Sequence, residues 1–134
     1  MHPLFSQASE LTHDVIGAAI EVHMDKEPGL LESIYERCLT RELEVRGHLV
    51  QSQDKVIIRH KHFEREDPLK FDLLIDKCLF VEVKAVETVH PIHKAQLLSY
   101  MKLLDIPLGL IISFNVPKLT KGLSRLILPG ANLE

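Results

Sequence analysis

Tryptophan is absent, and aromatic residues make up only 5% of the 134 positions. An interior built without them must be aliphatic, and few rings remain on which bases could stack. That argues against a dedicated single-strand binder. A basic surplus is missing too: 16 Lys and Arg stand against 19 Asp and Glu, for a net charge of −3 and a pI near 6.2. Domains that grip nucleic acid by counterion release carry an excess of positive charge. Any hold on phosphates here has to come from a local patch, a bound metal ion or a partner. No stretch reaches the roughly 18 apolar residues of a membrane span. The first residues, Met1-His2-Pro3-Leu4-Phe5-Ser6-Gln7, lack the charged region and apolar run of a signal peptide. A cytoplasmic protein with no membrane partner is the expectation. Cysteine is scarce as well: Cys38 and Cys78 lie forty residues apart with no CxxC or Cys-His spacing, and read as free, buried thiols.

What is present is an ordinary globular balance, 46% hydrophobic and 26% charged, enough for a single domain over residues 1–134 with one sizeable core. No internal repeat, low-complexity segment or linker divides it. From Gln7 to Met24 the residues Leu11, Val15, Ala18, Ala19 and Val22 recur at helical spacing until Pro28-Gly29 breaks the pattern. A second helix starts near Leu30 with Leu31, Ile34, Tyr35, Cys38, Leu39 and Leu43, and Gly47 is a plausible stop. The period then changes. Val56 and Ile58 alternate with charged neighbours, as in a half-exposed strand, and the polar stretch from His60 to Pro68 reads as a loop. Leu69–Ile75 and Leu79–Val83 are short apolar runs joined by a tight turn, hence a hairpin. Pro91 suits the first turn of a helix running to about Leu104, Leu108–Phe114 reads as a buried central strand, and Leu123–Leu128 as a last strand. The order predicts an α/β fold, a mixed sheet flanked by helices.

Asp72 and the run Glu82-Val83-Lys84 place charge inside otherwise apolar strands, which costs free energy unless the charges pair or bind metal. Glu82 and Lys84 are two residues apart and share a strand face. Whether Asp72 joins them depends on the hairpin. A two-residue turn at Asp76-Lys77 sets Asp72 opposite Val81 and sends Glu82 to the other face. A three-residue turn over Asp76, Lys77 and Cys78 sets Asp72 opposite Glu82, and the three charges converge. Converged, two carboxylates would hold a hard divalent cation, which acidifies a bound water and neutralises charge building on a phosphodiester. A lysine beside them would orient the attacking water. The same residues also suit a plain salt-bridge ladder, and spacing alone leaves both readings open.

The helix after the hairpin carries His93, Gln96 and Tyr100 on one stripe, either a solvent face or the wall of a site. His90-x-x-His93 would suggest zinc, but Pro91 interrupts it and no second ligand pair is apparent. Glu32, in the first turn of the second helix, is by itself no more than a complement to the helix dipole.

Taken in order, these segments resemble a known family. Gly29-Leu30-Leu31-Glu32-Ser33-Ile34-Tyr35 looks like the signature of the GxxExxY family, a group within the PD-(D/E)xK nuclease superfamily. The likeness runs from about Leu11 to Leu128. It takes in Gly17-Ala18-Ala19-Ile20-Glu21-Val22-His23, Phe71-Asp72-Leu73-Leu74-Ile75, Glu82-Val83-Lys84-Ala85-Val86-Glu87, His93-Lys94-Ala95-Gln96-Leu97-Leu98-Ser99-Tyr100 and Gly109-Leu110-Ile111-Ile112-Ser113-Phe114-Asn115-Val116-Pro117. The resemblance implies a restriction-endonuclease-like core. It implies that Asp72 and Glu82 bind Mg²⁺ or Mn²⁺, that Lys84 is the catalytic lysine, and that Glu32 is a helical acid pointing into the same site as a third metal ligand. Gln96 and Tyr100 would match the QxxxY element that shapes the active site. Two departures stand out. Lys70-Phe71 replaces the family's frequent Arg-Ala, which would bring a bulky ring to the groove, and Lys26-Glu27-Pro28-Gly29 replaces Leu-Gly-Pro-Gly.

The leading expectation is a Mg²⁺-dependent nuclease acting on DNA ahead of RNA, with a second copy or a partner protein supplying specificity. The alternative is a non-cleaving interaction or nucleic-acid-binding module on the same fold, which the low pI and lack of a specificity domain favour. A third is a metal-free structural protein with a salt-bridge network.

Overall fold

The computed structural model describes residues 1–134. Two helices, α1 (Phe5–Lys26) and α2 (Glu32–Val45), precede a three-strand meander, β1 (Val50–His60), β2 (Phe63–Ile75) and β3 (Leu79–Lys84). Helix α3 (Pro91–Leu104) then crosses over to β4 (Leu108–Ser113), and a single 3-10 turn (Leu119–Gly122) leads into β5 (Leu123–Ile127). The sheet order is β1-β2-β3-β4-β5, with β3 and β4 parallel and every other pair antiparallel. A parallel pair needs a crossover, and α3 supplies it. This is the α/β, restriction-endonuclease-like layering expected, a mixed sheet with helices on both sides.

Alternation along β3 sorts the two cores. Val81 and Val83 face α1 and α2, joining Val15, Ala18, Ala19, Tyr35, Leu39 and Leu43 in the larger cluster. Phe80 faces the opposite way, with Phe71, Leu74, Leu97, Met101 and Ile111 beneath α3. β4 is buried along its whole length, as its unbroken apolar run requires. Gly109 lets α3 lie close on it, since a Cβ there would come within 2.9 Å of Met101 Sδ and 3.0 Å of Leu97 Cδ2. Helix α1 ends where Glu27 and Gly29 both take positive φ, 61° and 110°, a path that glycine adopts freely. Both cysteines are free, with Cys78 buried and Cys38 partly so.

Residues 60–68, expected as a loop, are strand. Only Lys61 and His62 turn the chain, and β1 and β2 pair from His60↔Phe63 down to Gln53↔Lys70 as a two-stranded ribbon. Pro68 is tolerated there because β2 pairs with β3 only from Leu73 to Ile75, so that part of β2 is a sheet edge. A solvated ribbon needs no apolar face, which is why the stretch from His60 to Pro68 carries no strand period.

The β2–β3 turn is anchored from outside the sheet. The Asp76 N–H donates to Leu49 O at 2.9 Å, and Asp76 Oδ1 accepts from Leu49 N at 2.9 Å. The ring of His48 bridges two acids: Nδ1 to Asp76 Oδ2 at 2.7 Å, and Nε2 to Asp14 Oδ2 of α1. Arg46 extends the network to Asp14, Glu21 and Glu42. The end of α2, the middle of α1 and the turn that sets the hairpin register are thus tied together.

Candidate active site

The turn joining β2 to β3 spans three residues. Asp76 and Lys77 both take left-handed backbone (φ 49° and 59°), the Cys78 N–H donates to Ile75 O at 3.1 Å, and pairing begins at Ile75↔Leu79. The register continues through Leu74↔Phe80 and Leu73↔Val81, so the next step brings Asp72 level with Glu82. The ladder stops there. On its other side β2 bulges: Gln51 pairs with Leu74 and Gln53 with Lys70, leaving Phe71, Asp72 and Leu73 opposite Ser52 alone. Bulges re-aim side chains and end pairing. This one sends both Phe71 and Leu74, three residues apart, to the α3 side, and β2 parts from β3 in a fork. Asp72 closes the mouth of that fork, its Oδ2 accepting a hydrogen bond from Val83 N at 2.8 Å. The Phe71 ring does not crowd the groove; it lies edge-on to Phe80, centroids 5.0 Å apart, inside the core.

Glu82 is only 5% exposed. Val81 and Val83 on either side point toward α1 and α2, so the pleat turns the carboxylate to the α3 side. Burial holds its carboxyl above the usual range, the charge of Asp72 pushes it further up, and Lys84 opposes the rise. Lys84 Nζ stands 3.6 Å from Glu82 Oε2, close enough to attract but beyond hydrogen-bonding reach. That oxygen is buried and, beyond this ion pair, has no hydrogen-bond partner.

Lys84, whose side chain is 16% exposed, also lies 3.9 Å from Glu32 Oε1. Glu32 is the first residue of α2, and its Oε2 accepts from Ala85 N at 3.3 Å, so the helix start is stitched to the end of β3. The same strand end is held by β4. Phe114 N donates to Lys84 O at 2.8 Å, and Ser113 Oγ accepts from Val86 N at 3.1 Å while donating to Val86 O.

Sequence reasoning missed Glu36. It lies one turn beyond Glu32 and, with Ser33, Arg37, Thr40, Gln51, Ser52 and Asp72, lines a cavity of about 320 Å³. Burial raises its carboxyl pKa, with Asp72, Glu32 and Glu82 adding to the rise. The i, i+4 spacing from Glu32 was the available signal. Gln96 Nε2 donates to Tyr100 Oη at 2.9 Å, and neither bonds to Asp72, Glu82 or Lys84.

No three His, Cys, Asp or Glu side chains form a ready metal cage. The residues nonetheless fit a hard cation of the Mg²⁺ type, which keeps several waters and needs only one or two protein carboxylates. The unpartnered Glu82 Oε2, carrying a charge that burial and Asp72 disfavour, is the oxygen such an ion would satisfy. Asp72, fixed across the fork by Val83 N, would be the second.

The family model of the PD-(D/E)XK nuclease superfamily matches residues 9–126, nearly the whole chain. No curated protein and no solved structure matches it.

Proposed function

The chain belongs to the PD-(D/E)XK nuclease superfamily, and from that premise we propose that it is a Mg²⁺- or Mn²⁺-dependent nuclease hydrolysing phosphodiester bonds in DNA, ahead of RNA, with Asp72, Glu82 and Lys84 as its working residues. Within it, the motif Gly29–Tyr35 supports assigning the chain to the GxxExxY group. One observation carries the reading. A buried carboxylate with an unpartnered oxygen stands beside a lysine and an ordered aspartate at the point where two strands part.

Asp72 and Glu82 would hold the ion, with Glu32 at its margin. A bound divalent ion supplies there the acidification of water and the neutralisation of phosphate charge that the hydrolysis needs. Lys84, held between Glu82 and Glu32, is placed to orient the attacking water and offset the charge growing on the phosphate. Gln96 and Tyr100, bonded to each other, would form the flank along which substrate lies. The domain, read as one unit over residues 1–134, would draw its specificity from a second copy or a partner protein.

The test is cleavage of linear, nicked and single-stranded DNA, and of RNA, with Mg²⁺ or Mn²⁺, against Lys84→Ala. Cleavage by the wild type and none by the variant supports the reading. A second reading, a non-cleaving nucleic-acid-binding or interaction module, is favoured by the net charge of −3. Binding of metal without cleavage of any of the four substrates would select it.

A further inference from the structure

Helix α2 begins without a side-chain cap: its N-cap position is Leu31, and no side chain closes the first turn. Orphan N–H groups at such an end fray unless something else orders them. Yet Glu32, which meets both Ala85 N and Lys84, sits in that turn. Tyr35 supplies the missing order. Its side chain is fully buried, and its hydroxyl is used twice, donating to Glu27 O and accepting from Leu30 N at 3.0 Å. These two bonds clamp the loop that feeds the helix. The ring is fixed in turn by stacking on Phe114, centroids 4.6 Å apart and planes 7° from parallel. Phe114 is also the residue whose N–H holds Lys84 O. The segment after it is tied to α1, with His23 Nε2 bonded to Val116 O at 2.8 Å.

We propose that Tyr35 and Phe114 are positioning residues that set Glu32 against Lys84. Phe114 places the lysine through its backbone and, through the stack on Tyr35, the loop that carries the acid. The functional consequence rests on the nuclease reading above; the positional claim does not. The hydroxyl, and not only the ring, is required, because the ring fills the core whereas the hydroxyl alone orders the loop.

Tyr35→Phe tests this, since it keeps the stack and removes one oxygen. Amide hydrogen exchange on the metal-free protein should show Ala85 N–H exchanging faster in the variant, as Glu32 drifts from it. Leu39 and Leu43, deeper in α2, should stay as protected as in the wild type. In the active protein with Mn²⁺, kcat should fall about tenfold or more, the usual effect of losing a group that orients a metal-site residue, with KM little changed. Adding Tyr35→Phe to Glu32→Gln should then cost nothing further, because both act through one carboxylate. Unchanged exchange at Ala85, or losses that multiply in the double variant, would overturn the proposal. Should the wild type prove inactive and bind no metal, the nuclease reading falls, while the exchange at Ala85 still decides the positional claim.

Discussion

The carboxylate of Asp72 takes the hydrogen bond that Val83 N–H would otherwise give to a strand neighbour, at 2.8 Å. The bulge around Asp72 has removed the backbone acceptor that a continuous β2 would have offered. A single side chain therefore does two things: it satisfies a buried strand N–H, and it presents a negative charge at the fork beside Glu82.

Two substitutions separate those roles. Asp72→Asn keeps an oxygen for Val83 N–H and removes the charge, so the fold should melt within a few degrees of wild type while Mn²⁺ affinity and cleavage collapse. Asp72→Ala also strands a buried donor, which costs about 1–3 kcal/mol. Urea denaturation and calorimetric Mn²⁺ titration on both variants provide the check. Equal destabilisation by the two would reduce Asp72 to a structural residue, and retained Mn²⁺ affinity in Asp72→Asn would remove it from the metal site.

Lys84→Ala should abolish cleavage and leave divalent-metal affinity equal or slightly higher. The ammonium group lies 3.6 Å from Glu82 Oε2, so it repels an ion placed on that oxygen, and its loss removes a repulsion along with a catalytic group. Glu82→Ala should lose both cleavage and affinity. Nuclease assays with calorimetry on the pair distinguish a working site from a salt-bridge ladder, in which either change would only destabilise.

Much of this site was legible from parity. Val81 and Val83 are apolar on both sides of Glu82, and a turn over Asp76, Lys77 and Cys78 sets the register that ends at Leu73↔Val81, one step short of Asp72 and that glutamate. The bulge was not legible. Phe71-Asp72-Leu73 contains no glycine to mark it, and the three residues lie opposite Ser52 only because the long β1–β2 ribbon fixes its own register from the far end. Of that ribbon only Val56 and Ile58 show a strand period, and the stretch from His60 to Pro68 reads as a loop, since Glu64, Arg65, Glu66 and Asp67 have no core to face. The role of Tyr35 was hidden for a different reason. Its periodicity marked it as a helical core residue, which its ring is, while the loop contacts of its hydroxyl leave no trace in spacing.

Glu82→Gln should stabilise the metal-free protein at neutral pH. The folded carboxyl has a raised pKa, through burial first and then Asp72. The folded state therefore holds this proton more tightly than the unfolded chain does. Stability is greatest while the group is protonated and declines as pH rises from the ordinary 4.5 through the folded value. Glutamine mimics the protonated form. In EDTA the variant should melt higher than wild type near pH 7, and the gap should close in acid. Excess Mn²⁺ should reverse the order, since an ion at roughly a hundred times its Kd contributes about 2.7 kcal/mol only to the protein that retains the ligand. Scanning calorimetry in EDTA and in Mn²⁺ gives both comparisons. A wild type whose melting temperature ignores Mn²⁺ and Mg²⁺ would count against the metal site.

His48 should impose the opposite flank of a stability profile. Burial on its own would lower the pKa of its ring, but hydrogen bonds to Asp14 and Asp76, and their charges, outweigh that and raise it above 6.5. A raised histidine adds stability that is fully present below its unfolded pKa and is lost as pH climbs through the folded one. Asp14 is shifted the other way, lowered below 3.8 by its hydrogen bonds to His48 and then Arg46. Its share is present above the ordinary aspartate pKa and is lost as pH falls through the depressed one. The Asp14–His48–Asp76 bridge therefore contributes in full between the ordinary values of 3.8 and 6.5, and alkali loosens it from the histidine side as pH climbs to the raised folded value. With the Asp14 side chain 43% exposed, solvent screening holds the effect to about 1 kcal/mol. Urea unfolding at about pH 6 and about pH 9 should show this loss in the wild type, and His48→Gln should lower stability at the acid end and remove most of the difference. Because Asp76 is in the turn that sets Asp72 level with Glu82, amide exchange at Cys78 and Leu79 should quicken over the same alkaline range. A pH profile of identical shape in His48→Gln would show that the bridge contributes nothing to the hairpin.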